Sequence, residues 1–292
     1  MSSDVAAREF ERHRPRLISI CYRMLGERAA SEDVVQDTWL RWAGTDQDAV
    51  RNPEAWLTRV ATRIAIDALR VAQRRRETYV GPWLPEPLVV TAEHSVEANF
   101  IQAQDCGLAL LWAMERLDAT ERAAFILREA FDVAYIDLAR TLGKSEVACR
   151  QLVSRARKRV HNSGPRFDVS NVQISTLIGE FFTAASNGDF DAVTKLLAAD
   201  AVAITDGGPS VRAARRPLLG PEEIGLVMLS VAAKTLGQPG GRIFPCFANS
   251  LPALMYLVGD RIEDIITLLP DAQGQVAWMY FMRAPEKLAA LN

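Results

Sequence analysis

Histidine is scarce: only His13, His94 and His161 occur in 292 residues, and none follows position 161. The C-terminal part therefore has no imidazole for acid–base chemistry near neutral pH. Cysteine is nearly as rare. Cys21, Cys106, Cys149 and Cys246 lie far apart and show no C-x-x-C spacing. That excludes a disulfide framework and a zinc site of the usual spacing, and predicts reduced, mostly buried thiols in a cytoplasmic protein. No apolar run is long enough to span a membrane. The opening residues, with Arg8, Glu9, Glu11, Arg12 and Arg14, are too charged for a signal peptide. There is no internal repeat or low-complexity tract, and nothing that calls for a cofactor or a metal.

A strong overall charge is missing too. The net charge is −2, but its placement is uneven. Residues 1–165 carry 24 basic and 23 acidic side chains, and residues 166–292 carry 10 and 13. Affinity for nucleic acid must then come from local patches aligned by shape. The length allows two or three domains with proper cores, and 49% hydrophobic with 24% charged residues is ordinary globular composition.

One such patch is present. Between Arg140 and Arg166 stand eight basic side chains and one acid, Glu146. Within it, residues 135–160 read as two helices around Leu142-Gly143-Lys144. Gly143 suits a left-handed helix stop and Ser145 an N-cap. Cys149, Val153, Ala156 and Val160 recur at helical spacing and form one apolar face. Glu146, Arg150, Gln151, Ser154, Arg157 and Lys158 point elsewhere. Two helices joined by a tight Gly turn, the second basic and outward-facing, make a helix-turn-helix. The plainer interpretation is an amphipathic helix with a solvated basic face, so the rest of the chain must arbitrate.

The spacing predicts a helix over 5–27, stopped at Gly26, and a second over about 30–43. On the second, Val34, Val35, Thr38, Trp39 and Trp42 share a side. Asp33, Gln36, Asp37 and Leu40 share the other, which leaves a leucine ringed by acids and an amide. That is either a surface leucine or a docking patch for a basic partner. Asn52 and Pro53 start a third helix, reaching about Arg75. Its Leu57, Val60, Ala61, Ile64 and Ala68 are apolar on one side, and Arg59, Arg63, Arg70 and Arg74 form a stripe on the other. Such a stripe is a solvated face or a track for phosphates. Trp56, at the helix start, is more often core than a stacking platform.

Residues 79–107 cannot continue as helix at their start, because Pro82, Pro85 and Pro87 remove donors and restrict their neighbours. They form a linker, in which Trp83 and Leu84, held between prolines, suit a hydrophobic groove better than a spacer. Helical patterns resume over 108–160, with Asp118 as a cap, and Gly164-Pro165 marks a boundary. From about 168 the pattern becomes helices followed by strand-like runs near 201–205, 243–249, 253–258, 262–269 and 275–283. A short helix is expected at 190–198, and Asp206-Gly207-Gly208 reads as a hairpin-type turn. Helices followed by a curved antiparallel sheet predict an α+β fold that encloses a pocket.

These pieces resemble a known family. Ala30-Ser31-Glu32-Asp33-Val34-Val35-Gln36-Asp37-Thr38-Trp39-Leu40 resembles the core-polymerase-binding helix of bacterial extracytoplasmic-function (ECF) sigma factors. Asn52-Pro53-Glu54-Ala55-Trp56-Leu57, with Arg59 to Arg63, Asp67 and Arg70, resembles their promoter-melting helix. The helix-turn-helix, with its Ser154-Arg155-Ala156-Arg157 ending, resembles their domain four. Tyr79 through Pro87, Asp206-Gly207-Gly208 and Arg283-Ala284-Pro285-Glu286-Lys287-Leu288 resemble the subgroup fused to a SnoaL-like, nuclear-transport-factor-like cone. Two departures stand out: Pro209 and Ser210 replace the usual Gly and Lys, and Ala284 and Glu286 replace the Asn and Asp of Asn-Pro-Asp-Lys.

The resemblance implies a multidomain chain of two all-α sigma domains and an α+β cone. Domain two, a helical bundle, would take residues 1–78, the linker 79–107, domain four 108–164 and the cone 168–288. It implies core RNA polymerase and promoter DNA as partners. Asp33, Gln36, Asp37 and Leu40 would bind polymerase. Trp56, Arg59, Arg63 and Arg70 would act at the minus-ten element. Arg150, Gln151, Ser154 and Arg155 would face the minus-thirty-five element, with Arg157, Lys158 and Arg159 mostly on its phosphates. Trp83, Leu84, Pro85, Asp206, Gly207 and Gly208 would form a regulatory interface through which the cone controls activity in cis.

Two other functions compete. A helix-turn-helix regulator with a ligand-sensing cone would have no reason to carry residues 28–76. An enzyme built on the cone would need an acid or base, and with no histidine there only carboxylates such as Asp206 remain. No catalytic residue is therefore assigned, and a pocket ligand without turnover stays open.

Overall fold

This computed structural model describes residues 3–91, 106–161 and 170–291. The second part of the expected linker, His94 and the Gly164-Pro165 boundary lie outside the described residues. The chain forms two compact units. Among the described residues the first holds 3–78, 106 and 110–161, and the second holds 79–91, 107–109 and 170–291.

In the first unit, α1 (Ser3–Leu25), α2 (Arg28–Ala43) and α3 (Pro53–Arg76) pack around Phe10, Leu17, Val35, Trp42, Leu57 and Leu69, all buried. Gly26 ends α1 at φ +72°, where a Cβ would be strained. The Asn52 side chain caps α3 by accepting from the Ala55 amide at 3.0 Å. Trp42 fills the bundle centre, and its indole N–H donates to the Ala6 carbonyl at 3.0 Å.

The same unit contains α4 (Leu108–Met114) from Leu110 onward, α5 (Ala119–Glu129), α6 (Tyr135–Leu142) and α7 (Glu146–His161). Asp118 caps α5 through the Thr120 and Glu121 amides, both at 2.8 Å. Gly143 ends α6 at φ +63°, and Ser145 Oγ accepts from the Ala148 amide at 3.2 Å at the start of α7. Cys149, Leu152, Val153 and Ala156 are the buried residues of α7. Leu152 joins the expected face, and Val160 is only half-buried.

The second unit is α+β. Helices α8 (Asn171–Ser186), α9 (Phe190–Leu196) and α10 (Gly220–Leu236) pack on a sheet. Its strands are β1 (Val89–Val90), β2 (Leu197–Asp206), β3 (Leu218–Leu219), β4 (Gly241–Ala248), β5 (Leu251–Val258), β6 (Arg261–Pro270) and β7 (Val276–Met282). The spatial order is β1-β4-β5-β6-β7-β2-β3. Register shifts at Tyr256/Leu257 in β5 and Leu269/Pro270 in β6 bend the strands. The core lies between helices and sheet, with Ile174, Phe181, Ile224, Leu268, Met279 and Phe281 in it. A short helix, α11 (Pro285–Leu288), follows β7.

Three sequence expectations need correction. The sheet is not wholly antiparallel, because β2 runs parallel to β7, for example Ile204 beside Tyr280. A parallel pair needs a long crossover, and here α10 and β4–β6 supply it. Asp206-Gly207-Gly208 is therefore not a hairpin turn; β2 meets β3 only at Val202–Leu219 and Ala203–Leu218, after an excursion. Residues 79–91, read from the sequence as a segment suited to a groove more than a spacer, belong to the second unit. Val89 and Val90 pair with Ala248 and Phe247, so the segment adds an edge strand to the second unit. The short helix also stops at Leu196, and Leu197 already belongs to β2.

Candidate functional site

The outward face of α7 carries the candidate DNA readers. With Cys149, Val153 and Ala156 buried, a 100° rotation per residue places Val147, Gln151, Ser154 and Lys158 opposite them, and all four are exposed. The arginines flank this line and are held. Arg155 and Arg159 share Glu121 of α5 at 3.4 and 2.5 Å, and Glu121 is almost fully buried. Arg157 meets Glu129 at 2.7 Å, which holds its guanidinium above its ordinary pKa. Arg150 bonds Glu146 at 3.2 Å and lies over the Tyr135 ring. Val147 was not singled out in the sequence. At 66% exposure it is an unburied valine in the first turn of the second helix, and its i+4 and i+7 neighbours are Gln151 and Ser154.

On α2, Asp33, Gln36, Asp37 and Leu40 are all exposed, Leu40 at 61%. Trp39 turns to Phe10, with ring centroids 5.2 Å apart, so the aromatic side of α2 is spent on packing. On α3 the four expected residues diverge. Trp56 packs on Trp42 with centroids 5.3 Å apart, and Arg59 is half-buried. Arg70 pairs with Asp67 at 3.0 Å. Arg63 donates to the carbonyls of Thr141 at 3.0 Å and Arg140 at 3.2 Å, at the C-terminal end of α6. A cation is favoured there, because the last carbonyls of a helix lack partners.

A second contact inside this unit is ionic and buried. Glu115 receives both Arg122, from α5, and Arg76, the last residue of α3, the latter at 2.5 Å. Arg122 is fully buried and also donates to the Arg23 carbonyl at 3.0 Å, while Arg76 reaches the Leu25 carbonyl at 2.7 Å. Thus α1 and α3 are tied to α4 and α5.

In the second unit, Asp206 is the centre of a clasp. It ends β2 at 1% exposure. Its Oδ1 accepts from the Tyr79 hydroxyl at 2.7 Å and the Gly208 amide at 3.0 Å. Its Oδ2 accepts from the Leu84 amide at 2.7 Å and from Lys287 Nζ at 2.6 Å. Lys287 also donates to the Leu84 carbonyl and lies 4.2 Å from the Trp83 ring centroid and 5.0 Å from that of Tyr79. Leu84 and Pro85 are buried. Gly207 and Gly208 leave no room for a side chain: a Cβ at Gly207 would strike the Val211 carbonyl, and one at Gly208 the Glu286 carboxylate. Further along, the Leu88 amide donates to Asn249 Oδ1 at 3.0 Å, which leads into β1.

The Sigma-70 region 2 family matches residues 10–75, and Sigma-70 region 4 matches residues 108–160. The chain is 38% identical to the ECF RNA polymerase sigma factor SigJ of Mycobacterium tuberculosis over 273 residues, covering 84% of this chain and 86% of that protein. This chain belongs to the ECF RNA polymerase sigma factors. The probable ECF sigma factor SigI of the same organism is 28% identical over 298 residues, 99% of this chain and 97% of the relative. A crystal structure of M. tuberculosis SigJ aligns with a TM-score of 0.76 at 30% identity, covering 97% of this chain and 98% of that one. Membership of the family implies core RNA polymerase and promoter DNA as partners. The alternative of a regulator outside the polymerase is not favoured, because region 2 is present.

In this sigma factor the fold brings Trp83, Leu84, Pro85, Asp206, Gly207 and Gly208 into one clasp. Two further members, Tyr79 and Lys287, stood in the resembling motifs but were not assigned to the interface from the sequence. Lys287 stands 81 positions from the aspartate it meets, and only its place in a tail motif singled it out. Among the described residues no group of three or more His, Cys, Asp or Glu could hold a metal, and no helix is long and apolar enough to cross a membrane.

Proposed function

We propose that this sigma factor directs core RNA polymerase to its promoters and that its C-terminal domain controls that activity in cis. The observation that carries the regulatory part is the clasp. A buried aspartate and a buried lysine, both far along the chain, hold the backbone of Leu84 in the segment that leads from region 2 toward region 4. A passive tether would not require two buried charges, since each is costly to desolvate without a partner.

In this reading Leu40, with Asp33, Gln36 and Asp37, is the anchor and polar rim for the basic polymerase surface. Trp56, Arg59, Arg63 and Arg70 act at the minus-ten element, and for Arg63 that requires exchanging two α6 carbonyls for phosphate. The α7 line of Val147, Gln151, Ser154 and Lys158 faces the minus-thirty-five element. Arg150, Arg155 and Arg157 border the groove and take phosphates as their carboxylate partners let go. The domain divisions at 78, 107 and 164, with the cone at 168–288, and a non-catalytic role for the cone, belong to the same reading.

In vitro transcription from the protein's own promoter tests it, comparing the full chain with Lys287→Ala and with a chain ending at Gly164. Altered output with unchanged promoter preference is the expected result. Identical output from all three removes control in cis, and failure of the full chain to bind core polymerase removes the sigma reading.

A further inference from the structure

The second unit encloses a cavity between α8, α10 and the concave side of the sheet. Its mouth opens to solvent, and it leaves about 90 Å³ for the centre of a water-sized sphere, where roughly 10–15 Å³ is enough for a single water. Phe181, Phe182, Met228 and Phe281 are among its walls, and Thr235, Tyr256 and Asp264 bring the polar side chains. The Tyr256 hydroxyl is committed, donating to the Thr235 carbonyl at 2.7 Å.

Asp264 is different. It is 5% exposed, and burial pushes its carboxyl above the ordinary value although Arg283 lies beside it. Oδ1 accepts from Arg283 Nε at 2.8 Å. A carboxylate offers about four acceptor positions, so capacity remains for a donor from the cavity. The Asp264–Arg283 pair is already neutral overall. A charged guest would enter this apolar space without a counter-ion, which is strongly unfavourable.

Arg283 connects this wall to the clasp. Its guanidinium lies 5.3 Å from the ring centroid of Phe281, itself a cavity wall. Its backbone amide donates to the Asp206 carbonyl at 2.7 Å, and four residues later Lys287 binds the Asp206 carboxylate. One arginine thus touches both the acid of the cavity and the backbone of the residue that holds Leu84.

We propose that this cavity binds an uncharged, largely apolar small molecule carrying one hydrogen-bond donor for Asp264, and that Arg283 passes its occupancy to the Asp206–Lys287 clasp. A guest that bonds Asp264 weakens the acid's hold on Arg283. The main-chain bond from Arg283 to Asp206 then shifts the clasp between its holding and released forms. The guest changes that balance because it binds one form better than the other.

The test uses the full-length chain and 1-aminoanthracene, a neutral fused-ring probe with one amine donor whose fluorescence rises in apolar surroundings. Saturable binding at one site per chain is expected. Ala232→Phe puts a ring into the cavity and should weaken binding at least about tenfold, as overfilled space excludes the guest. If that variant unfolds on circular dichroism, Ala185→Leu fills the same space more gently. Hydrogen exchange at the Leu84 amide should change several-fold at probe saturation in the parent chain and stay constant in Asp264→Asn. Absent saturation, or undiminished binding by a folded cavity-filling variant, overturns the site. Saturable binding with unchanged Leu84 exchange overturns the coupling. The measurement needs neither polymerase nor DNA, so its outcome is separate from the transcriptional reading.

Discussion

Lys287 Nζ lies 2.6 Å from Asp206 Oδ2 and 2.6 Å from the Leu84 carbonyl, so one ammonium closes both sides of the segment that begins at Tyr79. Lys287→Ala leaves Asp206 buried with its charge unopposed. Removing one partner of such a pair typically costs ~3–5 kcal/mol. Chemical denaturation of the full chain should show a loss of this order in the transition of the second unit, and a loss below ~1 kcal/mol would mean that the Tyr79, Leu84 and Gly208 donors alone satisfy the carboxylate.

Glu115 plays the equivalent part in the first unit. Glu115→Ala strands the fully buried Arg122 and removes one of the two carboxylates that meet Arg76, leaving it Glu27. The expected cost is again ~3–5 kcal/mol, read from the unfolding midpoint in urea. Glu115→Gln keeps an acceptor and should lie between the two. Equal stability of all three proteins would show that the arginines find carbonyl partners enough.

Leu40→Ala with Asp37→Ala should weaken binding to core polymerase while the helical circular dichroism signal is unchanged. Both side chains are exposed and support nothing in α2. Truncating an apolar anchor at the centre of an interface commonly costs ~2 kcal/mol or more, about thirtyfold in affinity. Unchanged affinity in a pull-down or fluorescence titration would move the contact elsewhere.

Val147 and Lys158 should separate by their salt dependence. Lys158→Ala is expected to weaken binding to all promoter sequences alike and to lower the slope of log affinity against log salt by about one. Val147→Ala should leave that slope alone and relax preference at one thymine-bearing position by ~1 kcal/mol, since an exposed valine can meet a thymine methyl. A change of base preference from the lysine variant, or a changed slope from the valine variant, reverses the assignment.

The four cysteines should resist alkylation in the folded chain. All are buried, and burial pushes the Cys246 thiol up to about 12. At pH 8 that leaves roughly one part in 10⁴ as the reactive thiolate. Mass spectrometry after iodoacetamide should find no adduct until denaturant is added. Rapid labelling in native buffer would show that the interior opens easily.

Local features were legible from the chain alone, for local reasons. Asn52, Asp118 and Ser145 cap the helices they precede because a short polar side chain reaches amides two or three residues on. Gly26 and Gly143 stop helices because they accept positive φ. The apolar face of α7 and the exposed side of α2 follow from a period of 3.6, which needs no knowledge of the partner.

What tertiary structure decided lies where distant groups meet. Asp206-Gly207 carries the local grammar of a turn, yet the aspartate is buried among Tyr79, Leu84 and Lys287, and β2 runs on beside β7. No window of sequence contains those partners. The arginine stripe of α3 is similar: period alone grouped Arg59, Arg63 and Arg70, while packing sent Arg63 to the end of α6, 78 positions away. Sequence by itself determined helices, caps, turns and the order of the motifs, because those depend on neighbours within a few residues. Which charge is buried, which partner it takes and whether a proline segment becomes a strand were settled only by long-range contacts, because desolvation and pairing are properties of the assembled surroundings.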